Sequence, residues 1–205
     1  MSRLDFTRWW LRQRTDAWSY FSPDAPDAAL DLFDRLSTEL AWERRSDAPR
    51  GECWLTPLDV PYTYGRGRGT RTYLPHPFTA SVIEVLDLIQ AQVHDLNGSD
   101  PSAFGIVPPN CCFANSYENA RDHLGWHADD SPEMSHDSAI YSVSFGAPRV
   151  IEIRDNKTET VERILLEHGS IFAMHAGVQR THMHRVPKSS AQCGRRISLT
   201  YRTLV

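Results

Sequence analysis

Apolar positions recur along this chain with two different periods, and the change falls near Asn110. Before it the spacing is helical. Residues 27–42 place Leu30, Phe33, Leu36 and Leu40 three or four apart, after Ser22-Pro23 and Asp24-Ala25-Pro26, which suit a turn and a helix start. A stronger stripe, Val82, Leu86, Ile89, Val93 and Leu96, predicts a second helix from Thr79 to Leu96, with Glu84 early and Asn97-Gly98 as its stop. Both helices are expected to pad a sheet.

After Asn110 the period falls to two. Cys111, Phe113, Asn115 and Tyr117 share one face of a strand. Ile140 to Phe145, Val150 to Ile153, Ile164 to Leu166, Ile171 to Met174 and Ile197 to Tyr201 are short β-type runs separated by Gly, Pro or charged turns. Strands so closely spaced, with no helical pattern between them, predict an antiparallel sandwich or small barrel. The fold class is mainly β with flanking helices.

Length and charge narrow the picture. At 205 residues the chain supports one buried core, so a single domain over residues 1–205 is expected, with an N-terminal helical elaboration over about 1–56. A net charge of −4 argues against retention on nucleic acid by bulk charge alone. No apolar run reaches the roughly 20 residues of a membrane span, and residues 1–14 lack an apolar signal core, so no membrane partner and a cytoplasmic protein are expected. Cys53, Cys111, Cys112 and Cys193 form no C-x-x-C pair and read as reduced thiols. Monomer is the default.

One stretch departs from the acidic background. From Arg44 to Arg71 there are six arginines against three acids, and Tyr62, Tyr64, Arg66, Arg68 and Tyr73 interleave aromatic and basic side chains among Pro and Gly. Such a segment offers stacking to bases and contacts to phosphate. A solvated Gly-rich hairpin tip fits the same composition.

The candidate chemistry is His127-x-Asp129, a distant histidine, and Arg196-x-Ser198-x-Thr200-x-Arg202. On a strand, positions i and i+2 share a side, so His127 and Asp129 can address one metal while Trp126 and Ala128 point away. Two imidazoles and a carboxylate leave three positions of an octahedral iron(II) open. The third ligand is among His175, His182 and His184; the last two share a face and periodicity does not separate them. In the final strand four polar groups alternate with Ile197, Leu199 and Tyr201. Two arginines on the polar side are costly to bury without an anion and well shaped to hold carboxylates, so a barrel interior binding a dicarboxylate explains the pattern.

The ordered set Asn115-Ser116-Tyr117, Trp126-His127-Ala128-Asp129-Asp130, Ser142-Val143-Ser144-Phe145-Gly146, His168-Gly169-Ser170, His184-Arg185-Val186-Pro187 and Arg196 to Arg202 resembles the AlkB family of Fe(II)/2-oxoglutarate-dependent dioxygenases. The likeness covers about Asn115 to Arg202, with a weaker extension back to Pro57, and is greatest to members acting on DNA or RNA. It implies a double-stranded β-helix (jelly-roll) core over about 105–203 and a nucleotide-recognition lid over about 57–77. It implies Fe(II) on His127, Asp129 and His184, and 2-oxoglutarate held by Arg196 at its distal carboxylate with Asn115, Tyr117 and Ser198, and by Arg202 near its C1 carboxylate. With O2, the implied reaction is oxidative demethylation of N-alkylated bases in DNA or RNA, as in alkylation damage repair, releasing aldehyde, succinate and CO2. The implied substrate contacts are Tyr62, Tyr64, Arg66, Arg68, Tyr73, Trp126 and Asp130. A buried base must be flipped out or already unpaired to reach such a site. A nuclear location is the expectation if the source is a eukaryote.

Three positions depart from the family pattern. Ser198 stands where many members have asparagine, Ser131 where the nearest nucleic-acid members have a second acid, and Met183 where an aromatic is common. The competing reading is a dioxygenase of the same fold acting on a protein side chain, a free nucleotide or a small metabolite.

Overall fold

The computed structural model of the chain describes residues 15–19, 26–46, 48–65, 69–96 and 108–205. Two antiparallel sheets face one another. The larger has six strands in the order β1 (Thr15–Ser19), β10 (Ser170–Met174), β7 (Ile140–Gly146), β12 (Arg196–Arg202), β5 (Cys111–Tyr117) and β2 (Gly51–Leu55). The smaller has four, β6 (Leu124–His127), β11 (His182–Val186), β8 (Arg149–Asp155) and β9 (Val161–Leu166). From β5 to β12 the chain passes back and forth between the sheets, with only β8 and β9 consecutive in one of them, which is the jelly-roll arrangement of the double-stranded β-helix. A separate hairpin, β3 (Tyr62–Tyr64) with β4 (Arg71–Tyr73), stands in the span expected to form a lid.

The two faces of the large sheet do different work. Ile197, Leu199 and Tyr201 of β12, with Cys112, Ala114, Tyr141, Val143 and Phe145, form one dry core with helix α1 (Pro26–Glu39) and helix α2 (Ala80–Leu96). The Tyr201 hydroxyl donates to the Val82 carbonyl at 2.7 Å, tying the last strand to the start of α2. The opposite face looks toward the small sheet, where Ile140, Ile151, Ile153, Leu166, Phe172 and Met174 make a second apolar cluster. That cluster shares the space between the sheets with the polar residues of β12.

Several sequence expectations shift. In α1 the inward residues are Ala29, Leu32 and Leu36, whereas Leu30 is 53% exposed. At 100° per residue, the stripe through Leu32 and Leu36 presents a tighter arc to the sheet and leaves Leu30 outside it. In α2, Val82, Val85 and Ile89 are buried, and Leu86 packs at their edge. The N-terminal 1–56 segment is not purely helical: β1 pairs with β10, and β2 pairs with β5, so it completes both edges of the large sheet. His168 accepts a hydrogen bond from the Gly146 N–H at 2.7 Å. Gly146 ends β7 at a φ of +86°, where a Cβ would lie 2.4 Å from the Arg195 carbonyl oxygen; only glycine fits. Asn97 and Gly98 lie outside the described residues. No helix among the described residues is long and apolar enough to cross a membrane.

Candidate active site

Between the sheets, opening past the hairpin, lies a cavity of about 1420 Å³. Its floor is built by register. Across β5, β12 and β7 the pairs Asn115↔Ser198 and Ser198↔Ser144 align one polar row, and Tyr117↔Arg196 supplies the next. Because side chains alternate, the polar members of β12 point into this cavity while its apolar members face the helices, as the sequence pattern predicts.

On the opposite wall, His184 of β11 pairs directly with His127 of β6. Asp129 lies two residues beyond the end of β6 rather than on a strand; the irregular segment after β6, not strand alternation, brings its carboxylate back beside the imidazoles. Ala128 lines the cavity too, rather than pointing away. The His127 Nε2 is 3.8 Å from one Asp129 oxygen and the His184 Nε2 is 3.7 Å from the other. One ligand atom from each of the three lies within 4.8 Å of the others, the one such His/Cys/Asp/Glu grouping found among the described residues.

The donors are prepared for a cation. A carbonyl only accepts, so the 2.9 Å contact of His127 Nδ1 with the Gly125 oxygen puts the proton on Nδ1 and leaves the Nε2 lone pair toward the site. Burial, aided by the neighbouring His127, pushes the His184 imidazole down to about 3, so it is neutral at physiological pH. Burial likewise lowers His127. Burial pushes Asp129 upward, but opposing charge, that of the Arg202 guanidinium first, outweighs it and holds the carboxylate below its usual range. Two neutral imidazoles and an ionised carboxylate on one side are a donor set suited to Fe(II) with open positions. The Asp129 N–H also donates to the Gln179 side-chain oxygen at 3.0 Å, fixing the backbone behind the ligand.

Arg196 is 1% exposed. Its Nη2 donates to Ser144 Oγ at 2.9 Å and to Ser198 Oγ at 3.2 Å, its guanidinium carbon lies 5.2 Å from the centre of the Tyr117 ring, and its Nε and Nη1 have no hydrogen-bond partner among the described residues. Burial pulls its proton affinity down, only partly opposed by Tyr117. A buried cation without a carboxylate is expensive, and a carboxylate of the ligand is the group that relieves it. Arg202, also buried, is 3.2 Å from Asp129 and donates to the Tyr62 hydroxyl at 3.1 Å. Ser198, at the position of a common asparagine, shares its hydroxyl with Ser142 at 3.1 Å.

His182 shares the inward face of β11 but sits near Asp155, at 3.7 Å, away from the cluster, and His175 is not part of it. Tyr62, Tyr64, Trp126 and Asp130 line the cavity. Tyr73 does not: it is fully buried, and its hydroxyl is bonded to Glu52, so it belongs to the base of the hairpin rather than to a substrate surface. Arg66 and Arg68 lie outside the described residues. Ser131 bonds to the Tyr62 hydroxyl at 3.2 Å, and Met183 lines the cavity beside His184.

Sequence reasoning overlooked a buried pair. Arg50 is 3% and Glu52 0% exposed, 2.5 Å apart, and Arg50 Nε donates to Asn115 Oδ1 at 2.6 Å. Glu52 also accepts from the Tyr64 and Tyr73 hydroxyls. Ser142 and Ser144, quoted in the resembling set, were given no role in the site. The signal was available in β7, where they alternate with Tyr141, Val143 and Phe145 just as the polar and apolar residues of β12 alternate.

The sequence model of the 2OG-Fe(II) oxygenase superfamily matches residues 20–202. The chain belongs to that superfamily. Within this oxygenase superfamily the likeness is to AlkB proteins. It is 33% identical over 193 residues to alpha-ketoglutarate-dependent dioxygenase alkB homolog 3 of Bos taurus, covering 86% of this chain and 62% of that one. It is 26% identical over 207 residues to DNA oxidative demethylase ALKBH2 of Arabidopsis thaliana, covering 85% and 62% respectively. The chain thus spans about six tenths of the length of these relatives. A solved structure, "The structure of OsALKBH1", superposes with a TM-score of 0.63 at 19% identity, covering 92% of this chain and 97% of that one, which establishes the shared fold. The superfamily's cofactor set is Fe(II), 2-oxoglutarate and O2, and the donor cluster suits it.

Proposed function

We propose that this oxygenase oxidatively demethylates N-alkylated bases in DNA or RNA. The observation that carries the reading is an arrangement across one cavity. Three metal-donor atoms within 4.8 Å of one another face a buried guanidinium with two nitrogens unpartnered among the described residues. In this reading His127, Asp129 and His184 hold Fe(II), Arg196 takes the distal carboxylate of 2-oxoglutarate beside Asn115, Tyr117 and Ser198, and Arg202 meets the C1 carboxylate end. When bound, iron and 2-oxoglutarate supply oxygen-atom transfer from O2 to the N-alkyl carbon, yielding succinate, CO2 and, on collapse of the hydroxylated base, an aldehyde.

The chain's own residues do the rest. Neutral imidazoles and an ionised carboxylate present lone pairs without first shedding protons. Arg202, bonded to Asp129, holds that carboxylate at a fixed place and charge. Tyr62, Tyr64, Trp126 and Asp130 bound the space left for a base, and Arg66 and Arg68 complete the lid in the same reading. The AlkB relatives, one of them named a DNA oxidative demethylase, support nucleic acid as the substrate class. We place the protein in the cytoplasm or nucleus and take it to act as a monomer.

The test is aerobic incubation with Fe(II), 2-oxoglutarate, ascorbate and N-methylated DNA and RNA oligonucleotides, following methyl loss and succinate by mass spectrometry, with His127→Ala as control. Methyl loss that disappears in the control is the expected result. Succinate formed without methyl loss from any oligonucleotide would overturn the nucleic-acid substrate while keeping the oxygenase, and would favour a protein side chain, free nucleotide or metabolite.

A further inference from the structure

The outward face of the small sheet carries charge that the site does not use. Arg163 of β9 and Arg185 of β11 share one carboxylate, Glu152 of β8, at 2.8 and 2.6 Å. Arg154, two residues along β8 on the same face, has no carboxylate partner among the described residues; its Nη2 reaches only the Met183 sulfur at 3.5 Å. The guanidinium carbons of Arg154 and Arg185 both lie over the indole of Trp126, at 4.7 and 4.4 Å from its centre. Three guanidinium groups therefore meet one carboxylate. The adjoining turn adds Lys157 and Glu159, one charge of each sign.

This surface is continuous with the catalytic cavity, because Trp126 and Met183 also line the cavity wall beside His127 and His184. Stacking on an indole uses the flat face of a guanidinium and leaves its N–H edge for an acceptor. Arg163, with its side chain 74% exposed, extends the same row outward. The hairpin, with Tyr64 and Arg71, forms the opposite rim.

The geometry points to this Arg154–Trp126–Arg185 stack, extended by Arg163, as a track for the phosphate backbone of the substrate strand, carrying the nucleotides that flank the target base across the small sheet. The inference rests on the nucleic-acid reading above and deepens it: it names which outer surface supplies the electrostatic part of binding in a chain whose net charge is −4. Phosphate contacts of this kind fix register without reading sequence.

The test compares the wild-type protein with the Arg154→Gln/Arg163→Gln and Arg154→Lys/Arg163→Lys pairs. Anisotropy of a labelled single strand of roughly 15 nucleotides is followed between roughly 50 and 200 mM salt, with a thermal melt to check folding. The dependence of log affinity on log salt is expected to flatten by about 1.4 in the glutamine pair, because two cations that neutralise phosphates of a single strand have been removed, and to stay near wild type in the lysine pair. In wild-type protein, photocrosslinking of the strand should also label the peptide that contains Trp126, a readout independent of any variant. An unchanged slope in the glutamine pair, or no label near Trp126, would overturn the track while leaving the demethylase reading intact. A wild-type protein that binds no strand would overturn both. Binding of poly-glutamate with the same loss of slope, in the absence of strand binding, would reassign the face to an acidic polypeptide and overturn the track.

Discussion

The two faces of the six-stranded sheet are made from the same strands and have opposite characters. On the helix side, Ile197, Leu199, Tyr201, Val143 and Phe145 are excluded from water among α1 and α2. On the cavity side, one residue along in each strand, stand Arg196, Ser198, Arg202, Ser142 and Ser144. The first face gains free energy by removing apolar area from water. The second gives some of it back, because a buried guanidinium with two unpartnered nitrogens lowers the stability of the ligand-free fold. The difference teaches that stability and ligand recognition are separated here by a single step of the pleat, and substitutions should sort accordingly.

The largest expected effect is on the cavity side. His184→Ala removes one of three donors, so Fe(II) affinity and turnover fall to background while the far-ultraviolet circular dichroism is kept; metal titration and succinate release check this. On the helix side, Leu199→Ala is expected to lower stability by about 2–5 kcal/mol through reduced burial and a cavity, read by denaturant unfolding, with 2-oxoglutarate affinity unchanged in the folded protein. A change in that affinity as large as the change in stability would break the division between faces. Arg196→Ala should do the reverse. Losing a charge-assisted pair raises the half-saturating 2-oxoglutarate concentration roughly 10- to 100-fold, and the melting temperature of the ligand-free protein stays level or rises.

The smallest effect belongs to neither face. Asp122 takes both ends of the Arg44 guanidinium, at 2.7 and 2.8 Å, and the Glu118 N–H at 2.9 Å. Burial raises this carboxyl, but the hydrogen bonds from Arg44 and Glu118 outweigh it, so its pKa is below the ordinary value. The stabilisation is therefore present above the unfolded-state pKa and fades as pH falls through the folded-state one. Arg44 is 44% exposed but Asp122 only 5%, so Asp122→Asn should cost about 1–3 kcal/mol at neutral pH, and the difference from wild type should shrink in acid. A gap that widens in acid would reverse the assigned sign.

What the sequence disclosed follows from the same alternation. β12 was legible because four polar and three apolar residues alternate without interruption, and both sides of the strand proved to be occupied as that pattern requires. The two-residue spacing of His127 and Asp129 was legible as metal chemistry, but the end of the strand between them was not, since β6 is too short for its end to leave a mark. Arg50 and Glu52 were hidden. A buried ion pair reads in sequence as two ordinary surface charges, and only its partners, Asn115 on one side and two tyrosine hydroxyls on the other, distinguish it. Leu30 was misplaced because a helix stripe spaced by three and four admits two neighbouring arcs, and the choice between them belongs to the sheet it packs on.

Glu52 also bears on how such a protein can be altered. It joins Tyr64 and Tyr73 of the hairpin to Arg50, and through Arg50 to Asn115. The hairpin base is thus continuous with the floor of the cavity. A designer who wished to transplant a different recognition loop onto this scaffold should cut at the tip, between Gly65 and Gly69, and carry Arg50 and Glu52 unchanged; a graft that replaced the whole hairpin would strip the buried Glu52 carboxylate of both its tyrosine donors and leave it to Arg50.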